Sequence, residues 1–226
     1  MLPGTITPLL ALAGVASAHY RVLAPAWRAN SLTTPGASQW VYPCANVTEL
    51  SATNSSRTQW PLTGGSLKIN GSHEYALTYV NLGLGTNVSD FDIPLLHDFN
   101  QTGAGVFCLK DAVRDALKKG FEANNVTEKD RDGLHATLQF VQISHGGGAL
   151  YNCADITFSS SAQLLADDQC QNATGVGGEF LHSSAVAQGG HDHGNSGGNG
   201  QSAASALKGS SMAAVVAGGL SAWLLV

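Results

Sequence analysis

Charge is scarce in this chain of 226 residues, and so are the motifs of the common enzyme classes. Charged residues make up 12% of the sequence, and the net charge of −5 comes without any basic run. A basic patch is the footprint of nucleic-acid binding, so no nucleic-acid partner is expected. The sequence has no nucleophile elbow, no ordered Ser, His and Asp set and no glycine loop that opens a helix. The usual hydrolase and nucleotide-binding signatures are therefore missing.

Long apolar runs are also missing, except at the two ends. Residues 8–15 are apolar and lead into small residues that end at Ala18. This is the layout of a secretory signal peptide, here without the usual basic residue, and it predicts that residues 1–18 are removed.

The C-terminal run, residues 212–226, is apolar, uncharged and about 15 residues long, which is short for a membrane-spanning helix. A polar spacer and small residues precede it, the pattern of a GPI-anchor signal. We expect residues 201–226 to be removed, attachment between Asn195 and Asn199, and a protein on the extracellular face of the plasma membrane or in the cell wall. A transmembrane anchor is the alternative.

Sequons and cysteines also indicate an extracellular protein. Seven Asn-x-Ser/Thr sequons predict a glycosylated surface, at Asn46, Asn54, Asn70, Asn87, Asn100, Asn125 and Asn172. The four cysteines are not in CxxC pairs, so we expect two disulfides and no zinc site. Four cysteines allow three pairings, which the sequence does not distinguish. Our working choice is Cys44 with Cys153 and Cys108 with Cys170.

Residues 19–180 are long enough for one domain with its own core. Residues 181–200 are rich in Gly, Ser, Asn and His, which predicts a disordered stalk. Strands are predicted at 20–23, 66–69, 74–82, 134–144 and 149–158, of which 134–144 alternates as a half-buried strand does. One helix is predicted at 110–119, ended by Gly120. Short strands, turn signals and one helix predict an all-β, antiparallel β-sandwich.

The residue after the predicted cleavage site is His19. A histidine at a mature N-terminus offers two nitrogen ligands, its free α-amine and its ring Nδ1. A second histidine would complete a three-nitrogen, T-shaped site suited to Cu(II). The alternative is that His19 is simply the first residue left by the peptidase.

Several sequence blocks carry a resemblance to a known family. The chain resembles the fungal copper-binding proteins related to lytic polysaccharide monooxygenases (LPMOs), of the copper-acquisition-factor type. The shared blocks are His19-Tyr20-Arg21, VYPC at 41–44, WPLTGG at 60–65, YVNLGLG at 79–85 and GALYNCADI at 148–156. The resemblance implies an immunoglobulin-like β-sandwich of LPMO type, a GPI anchor, and one Cu(II) per domain in a histidine brace completed by an aspartate.

Carried onto this chain, the resemblance implies that His19, His73 and Asp155 bind the copper. Asp155 lies two positions from Cys153 in a predicted strand, so both side chains should share a face. A carboxylate there would stabilise Cu(II) over Cu(I). His145 is the competitor of His73, and His191 and His193 in the stalk could bind copper weakly.

The resemblance implies copper acquisition or cell-wall maintenance without oxidative cleavage, hence no enzyme activity. Partners would be copper, the membrane through the anchor, and a copper transporter or a cell-wall polysaccharide. An active copper-dependent monooxygenase is the first alternative; it predicts an aromatic surface around the metal, with Trp27, Trp40 and Tyr20 as candidates. A structural or adhesive wall glycoprotein without metal is the second.

Overall fold

The computed structural model describes residues 19–53, 55–143 and 147–181. The predicted signal peptide, the predicted stalk from residue 182 onward and the predicted anchor signal lie outside the described residues, and so do Asn54, His145, His191 and His193. Within the described part, no helix is long and apolar enough to cross a membrane.

Strands dominate the described residues, with two short helices between the sixth and seventh strand. The elements are β1 (Tyr20–Ala24), β2 (Thr58–Pro61), β3 (Leu67–Gly71), β4 (Tyr75–Leu84), β5 (Ile93–Thr102), β6 (Gly105–Leu109), α1 (Arg114–Ala123), α2 (Glu128–Arg131), β7 (His135–Ile143), β8 (Ala149–Ser159) and β9 (Gly177–Phe180).

The strands form two sheets, which confirms the predicted all-β sandwich. One sheet has the order β1-β3-β6 and the other the order β2-β8-β7-β4-β5-β9. The core contains Tyr20 and Ile69 from the smaller sheet and Leu138, Phe140 and Ile156 from the larger one. One described pair departs from the antiparallel prediction, since β2 runs parallel to β8.

Both expected disulfides are present. Cys44 is bonded to Cys153 and Cys108 to Cys170, and no cysteine among the described residues is free. The first bond ties the segment between β1 and β2 to β8. The second ties the segment before β9 to β6. Each crosslink constrains the unfolded chain and so stabilises the fold.

Strand β7 was predicted to be half-buried, which is wrong because both of its faces are covered. Every residue from Ala136 to Gln142 is buried. The even-numbered side chains, such as Leu138 and Phe140, face the core between the sheets. The polar odd-numbered side chains Thr137 and Gln139 lie under residues 26–57, where Thr137 accepts a hydrogen bond from Arg28 and Gln139 donates to the Pro43 carbonyl.

Helix α1 begins and ends four residues later than predicted, and it continues through Gly120. Glycine serves there as a contact residue and not as a stop signal. A Cβ on Gly120 would lie 2.2 Å from Ile93 Cγ2 of β5. The missing side chain therefore lets the helix pack closely against the larger sheet.

Candidate metal centre

Ser72 joins the two histidines expected to form the brace. The carbonyl of His19 accepts hydrogen bonds from the Ser72 backbone N–H at 3.2 Å and from Ser72 Oγ at 2.7 Å. These bonds extend the β1–β3 ladder, in which Tyr20 is opposite Gly71. Because His73 directly follows Ser72, His19 and His73 lie at the same end of the smaller sheet.

His73 lies in the connection between β3 and β4 and is half-buried. Its Nε2 is buried and has no hydrogen-bond partner among the described residues. A buried polar atom without a partner costs about 1–3 kcal/mol. Such an atom is a candidate for binding a group that the protein acquires.

An open cleft lies beside His19. Its volume is about 270 Å³, and its walls are residues 19–21, Leu32 and residues 70–72. A Cβ on Gly71 would lie 3.1 Å from Gln101 Nε2 and 3.6 Å from Gln142 Oε1. Gln142 donates from Nε2 to Gln101 and to Thr78, while its Oε1 is buried without a partner. Gln142 Oε1 is thus a second buried polar atom without a partner, besides His73 Nε2, and it lies directly behind the cleft wall.

Tyr20 is held at the start of β1 by hydrogen bonds of both its backbone and its side chain. Its backbone N–H donates to Gln39 Oε1 at 3.2 Å, and its carbonyl accepts from Gln39 Nε2 at 2.7 Å. Its hydroxyl donates to the carbonyls of Phe140 and Leu150, at 2.7 and 3.3 Å. Complete burial raises the pKa of the Tyr20 phenol far above its usual range. The residue after His19 is therefore held rigidly.

Asp155, the predicted third ligand, lies in a buried ion pair with Arg28. Its Oδ1 accepts hydrogen bonds from Arg28 at 2.7 Å and from Thr137 Oγ1 at 2.8 Å. Its Oδ2 accepts from Arg28 Nε and from the Leu50 backbone N–H, both at 2.9 Å. A carboxylate has about four lone-pair positions, and all four are used. The Asp155 carboxylate is therefore fully engaged in a buried ion pair, and metal ligation by Asp155 stays a prediction.

The fold also keeps Asp155 away from His19. The side chain of Asp155 points away from the core face of β8, on which Ala154 and Ile156 lie. The shared face with Cys153 was predicted correctly, but it is the face under residues 26–57. Tyr20, the neighbour of His19, contacts β8 near its start, at Leu150. Asp155 lies four residues beyond Tyr151, which is about 13 Å further along the strand at about 3.3 Å per residue.

No group of three or more His, Cys, Asp or Glu side chains in the described ranges could hold a metal ion. Any metal site here would depend on fewer side chains, with the N-terminal amine as a further ligand.

The ion pair of Asp155 belongs to a larger buried network. Glu49 lies 3.9 Å from Arg28 and 3.4 Å from Arg57, and its Oε2 accepts from the Val88 backbone N–H at 2.8 Å. Arg57 donates to the carbonyls of Leu50 and Ala136, at 2.7 and 3.0 Å. Two arginines and two acids balance in charge. Together they hold residues 26–57 on the outer face of the larger sheet.

The sequence indicated neither Ser72 nor Gln39, and it gave only an indirect signal for Arg28. No short-range pattern marks a serine that will bond to a residue 53 positions earlier. Arg28, in contrast, is followed by an uncharged stretch, residues 29–48. A lone charge at the edge of such a stretch is consistent with a buried partner.

Of the three aromatics named for a surface around the metal, one is well exposed. Trp40 is 55% exposed, whereas Tyr20 is buried and Trp27 packs partly against the core. Tyr42, which the sequence did not single out, is 59% exposed.

The sequons fall into different environments. Asn46, Asn87 and Asn125 are exposed and have positive φ angles between 55° and 58°, as turn residues do. Asn100 lies in β5 with its Oδ1 buried. Asn70 lines the cleft beside His19, and exposed Asn172 accepts from the Cys108 backbone N–H at 2.9 Å.

Comparison with known proteins gives a consistent result. Residues 17–175 match a family model described as copper acquisition factor BIM1-like. The LPMO-like protein ham-7 of Neurospora crassa is 33% identical over 215 residues, which cover 85% of this chain and 87% of that protein. The LPMO-like protein X325 of Aspergillus fumigatus is 30% identical, covering 77% and 83%. The X325 protein of Hypocrea jecorina is 31% identical, covering 74% and 77%.

Proposed function

Since the chain belongs to the BIM1-like copper acquisition factor family, with LPMO-like relatives in fungi, we propose that it binds one Cu(II) ion at its mature N-terminus. The ligands are the α-amine and Nδ1 of His19 and the imidazole of His73. The proposed role is extracellular copper handling, in acquisition or in cell-wall maintenance.

The observation that carries this proposal is the buried Nε2 of His73, which lacks a partner one residue from Ser72. An amine and two imidazoles are nitrogen donors that suit Cu(II) in tetragonal geometry. The two hydrogen bonds from Ser72 to His19 hold the first residue beside His73. The cleft next to His19 leaves room for the ion and for a further ligand from solvent.

In this proposal Asp155 acts through the fold and not through the metal. Arg28 and Asp155 hold residues 26–57 on the larger sheet, and Gln39 of that segment clamps Tyr20. The chain thereby orients the N-terminal residue and limits its motion. The cleft beside His19 keeps one side of the site open, so that copper can enter and leave. When bound, copper would supply a cationic centre that can be delivered to a recipient.

The test is copper binding by the purified full chain processed to begin at His19, followed by calorimetry and EPR. Three variants accompany it: an added residue ahead of His19, His73→Ala, and His97→Ala as an exposed-histidine control. We expect one tight Cu(II) site that is lost in the first two variants and kept in the third. Tight binding indifferent to the N-terminus would reject the brace. No tight site at all would favour the structural glycoprotein.

A second candidate function is oxidative cleavage of a polysaccharide. It is favoured by exposed Trp40, one residue from the Gln39 that binds Tyr20, and by a carboxylate that is not available to occupy a copper position. Copper-loaded protein would be incubated with ascorbate and chitin or β-glucan. Oxidised oligosaccharides that disappear in the His73→Ala variant would establish the enzyme; their absence, with tight copper binding retained, supports copper handling.

The cellular setting is part of the same proposal. We propose cleavage after Ala18 and a GPI anchor attached between Asn195 and Asn199. N-terminal sequencing of the secreted protein checks the first. Release from intact cells by a phosphatidylinositol-specific phospholipase checks the anchor, and retention on the cells after that treatment would reject it.

A further inference from the structure

The cleft beside His19 is larger than a single metal ion requires. Its volume is about 270 Å³, whereas one water molecule occupies about 30 Å³ of the liquid. Pockets for drug-sized ligands begin at about 300 Å³. The cleft therefore has room for a small organic molecule next to an ion held by His19.

Arg21 supplies the charge of the cleft wall. No acidic residue is among the described residues that line the cleft. Arg21 is exposed and lies opposite Asn70 in the β1–β3 ladder, so the two side chains share the outer face of the smaller sheet. Tyr20 and Val22, its neighbours in β1, point into the core instead. The guanidinium thus lies on the solvent side, at the end of the sheet that carries His19.

The guanidinium of Arg21 is not committed to a carboxylate of the protein. No ion pair within the described ranges includes it. Arg28, Arg57 and Arg114, in contrast, each face an acidic side chain. An exposed arginine in the wall of a cleft, without an acidic partner, is suited to bind an anion.

The proposed copper ligands also favour an anion in this cleft. The α-amine and the two imidazoles are neutral when they bind a metal ion, so the charge of Cu(II) is not balanced by them. The Asp155 carboxylate is engaged by Arg28, and exposed Glu74 is not part of the cleft wall. The ion and Arg21 would both attract a negative charge, and oxygen donors suit Cu(II) in tetragonal geometry.

The shape of the guanidinium selects the kind of anion. Arginine presents a planar fork that binds a carboxylate with two parallel hydrogen bonds. A small molecule with two or more carboxylates can give one of them to Arg21 and another to the copper ion. Oxalate and citrate belong to this class, and both chelate Cu(II) in solution.

We propose that the cleft is an anion site in which Arg21 holds a small polycarboxylate that chelates copper. The protein then binds its Cu(II) together with this carboxylate and not as the hydrated ion. The inference rests on the proposed copper function and names the chemical form of the cargo. It assigns to Arg21 the recognition of the anion, while His19 and His73 hold the metal.

The test is calorimetry of oxalate and citrate with the full chain processed to begin at His19, in copper-loaded and metal-free form, with EPR of the loaded form. The N-glycans are trimmed to their first sugar, because complete enzymatic removal would convert Asn70 to aspartate beside Arg21. The variants are Arg21→Gln and Arg21→Lys. Arg114→Gln is the matched control, since it changes the net charge equally but lies on α1, outside the cleft wall. Thermal unfolding shows that each variant is folded.

We expect one oxalate per copper-loaded protein, with a changed EPR spectrum while the copper stays bound. Arg21→Gln should weaken oxalate binding by about tenfold, the ordinary effect of a lost charged hydrogen-bond donor. Arg21→Lys should weaken it less, because it keeps the charge and loses only the fork, and Arg114→Gln should leave it unchanged. Oxalate binding that is equal in wild type and Arg21→Gln would overturn the proposal, as would removal of the copper from the protein by both anions.

The metal-free arm separates this proposal from the proposed function. Oxalate binding that depends on Arg21 in a protein without a tight copper site would reject the metal centre and keep the anion site. A tight copper site without any oxalate binding that depends on Arg21 would reject the anion site alone.

Discussion

The guanidinium of Arg28 donates two hydrogen bonds to the carboxylate of Asp155, from Nε at 2.9 Å and from Nη2 at 2.7 Å, across 127 positions of sequence. The Asp155 side chain is completely buried and that of Arg28 is 6% exposed. Bidentate pairs of this kind combine charge with fixed geometry. The pair joins the start of the long β1–β2 segment to the strand that carries the Cys44–Cys153 disulfide.

Replacing Asp155 by Ala should destabilise the fold without removing copper binding. The change removes the bidentate partner of the buried Arg28 and leaves only Glu49 at 3.9 Å, and loss of a partner from a buried ion pair costs about 3–5 kcal/mol. Denaturant unfolding measures this loss, and EPR of copper-loaded protein measures the site. Asp92→Asn, at an exposed position, is the control. A stable Asp155→Ala protein with an altered copper spectrum would show that Asp155 is a ligand after all.

Replacing Ser72 by Ala should weaken copper binding modestly. The variant loses the 2.7 Å hydrogen bond from Oγ to the His19 carbonyl but keeps the bond from the backbone N–H. One such bond contributes about 1 kcal/mol, so we expect about fivefold weaker affinity. Calorimetry with Cu(II) checks this against Thr86→Ala, an exposed hydroxyl elsewhere. Equal affinities would mean that Ser72 does not orient the N-terminus.

Alkaline pH should destabilise the protein partly through Tyr20. Burial raises the pKa of this phenol in the folded state, whereas an unfolded tyrosine titrates near its ordinary value of about 10. As pH rises above that value, only the unfolded chain loses the proton, so the free energy of unfolding falls. Tyr20→Phe should be less stable near neutrality and should lose less stability between about pH 9 and 11. Urea unfolding at several pH values compares the two; parallel curves would contradict the assignment.

Gly120→Ala should destabilise helix α1, although alanine is the better helix former. The new methyl group would lie 2.2 Å from Ile93 Cγ2 in the core. Overpacking of this kind costs about 1–3 kcal/mol, which exceeds the roughly 1 kcal/mol gained in helix propensity. Thermal unfolding is compared with Glu122→Ala, an exposed position of the same helix. A rise in melting temperature for Gly120→Ala would show that the contact relaxes at no cost.

Glycan occupancy should follow exposure. Asn87 and Asn125 are exposed turn residues, so we expect both to carry N-glycans in the secreted protein. Asn100 lies within β5, paired to β4 and β9, with its Oδ1 buried, and should be unmodified. Glycopeptide mass spectrometry measures occupancy site by site, and a glycan at Asn100 would contradict this structural rule.

The strands that carry a clear alternating or β-branched pattern could be predicted from the sequence, and so could the formation of two disulfides, although their pairing could not. Short strands such as β2 and β9 could not, because their four residues contain too little pattern. The end of α1 was predicted wrongly because Gly120 packs against Ile93 instead of ending the helix. Ile93 is a tertiary neighbour, which local sequence rules do not include.

The candidate site could be predicted from local sequence only at His19, which follows from the predicted cleavage pattern. His73 was implied by the resemblance, and the β1–β3 pairing brings it to the same end of the sheet as His19. The environment of Asp155 could not be predicted. The alternation of side chains along a strand shows that Cys153 and Asp155 share a face, but it does not show which part of the protein covers that face. That decision depends on Arg28, Leu50 and Thr137, which meet only in the folded chain.

Pairing of β1 with β3 starts at Tyr20, the second residue of the proposed mature chain, whose side chain is 1% exposed. An aminopeptidase needs several loose residues to draw a chain into its active site. Here only His19 precedes the paired strand, and its carbonyl is already bonded to Ser72. In the proposed mature chain, the strand that presents His19 would also protect it from trimming, so we expect the terminus to last as long as the fold.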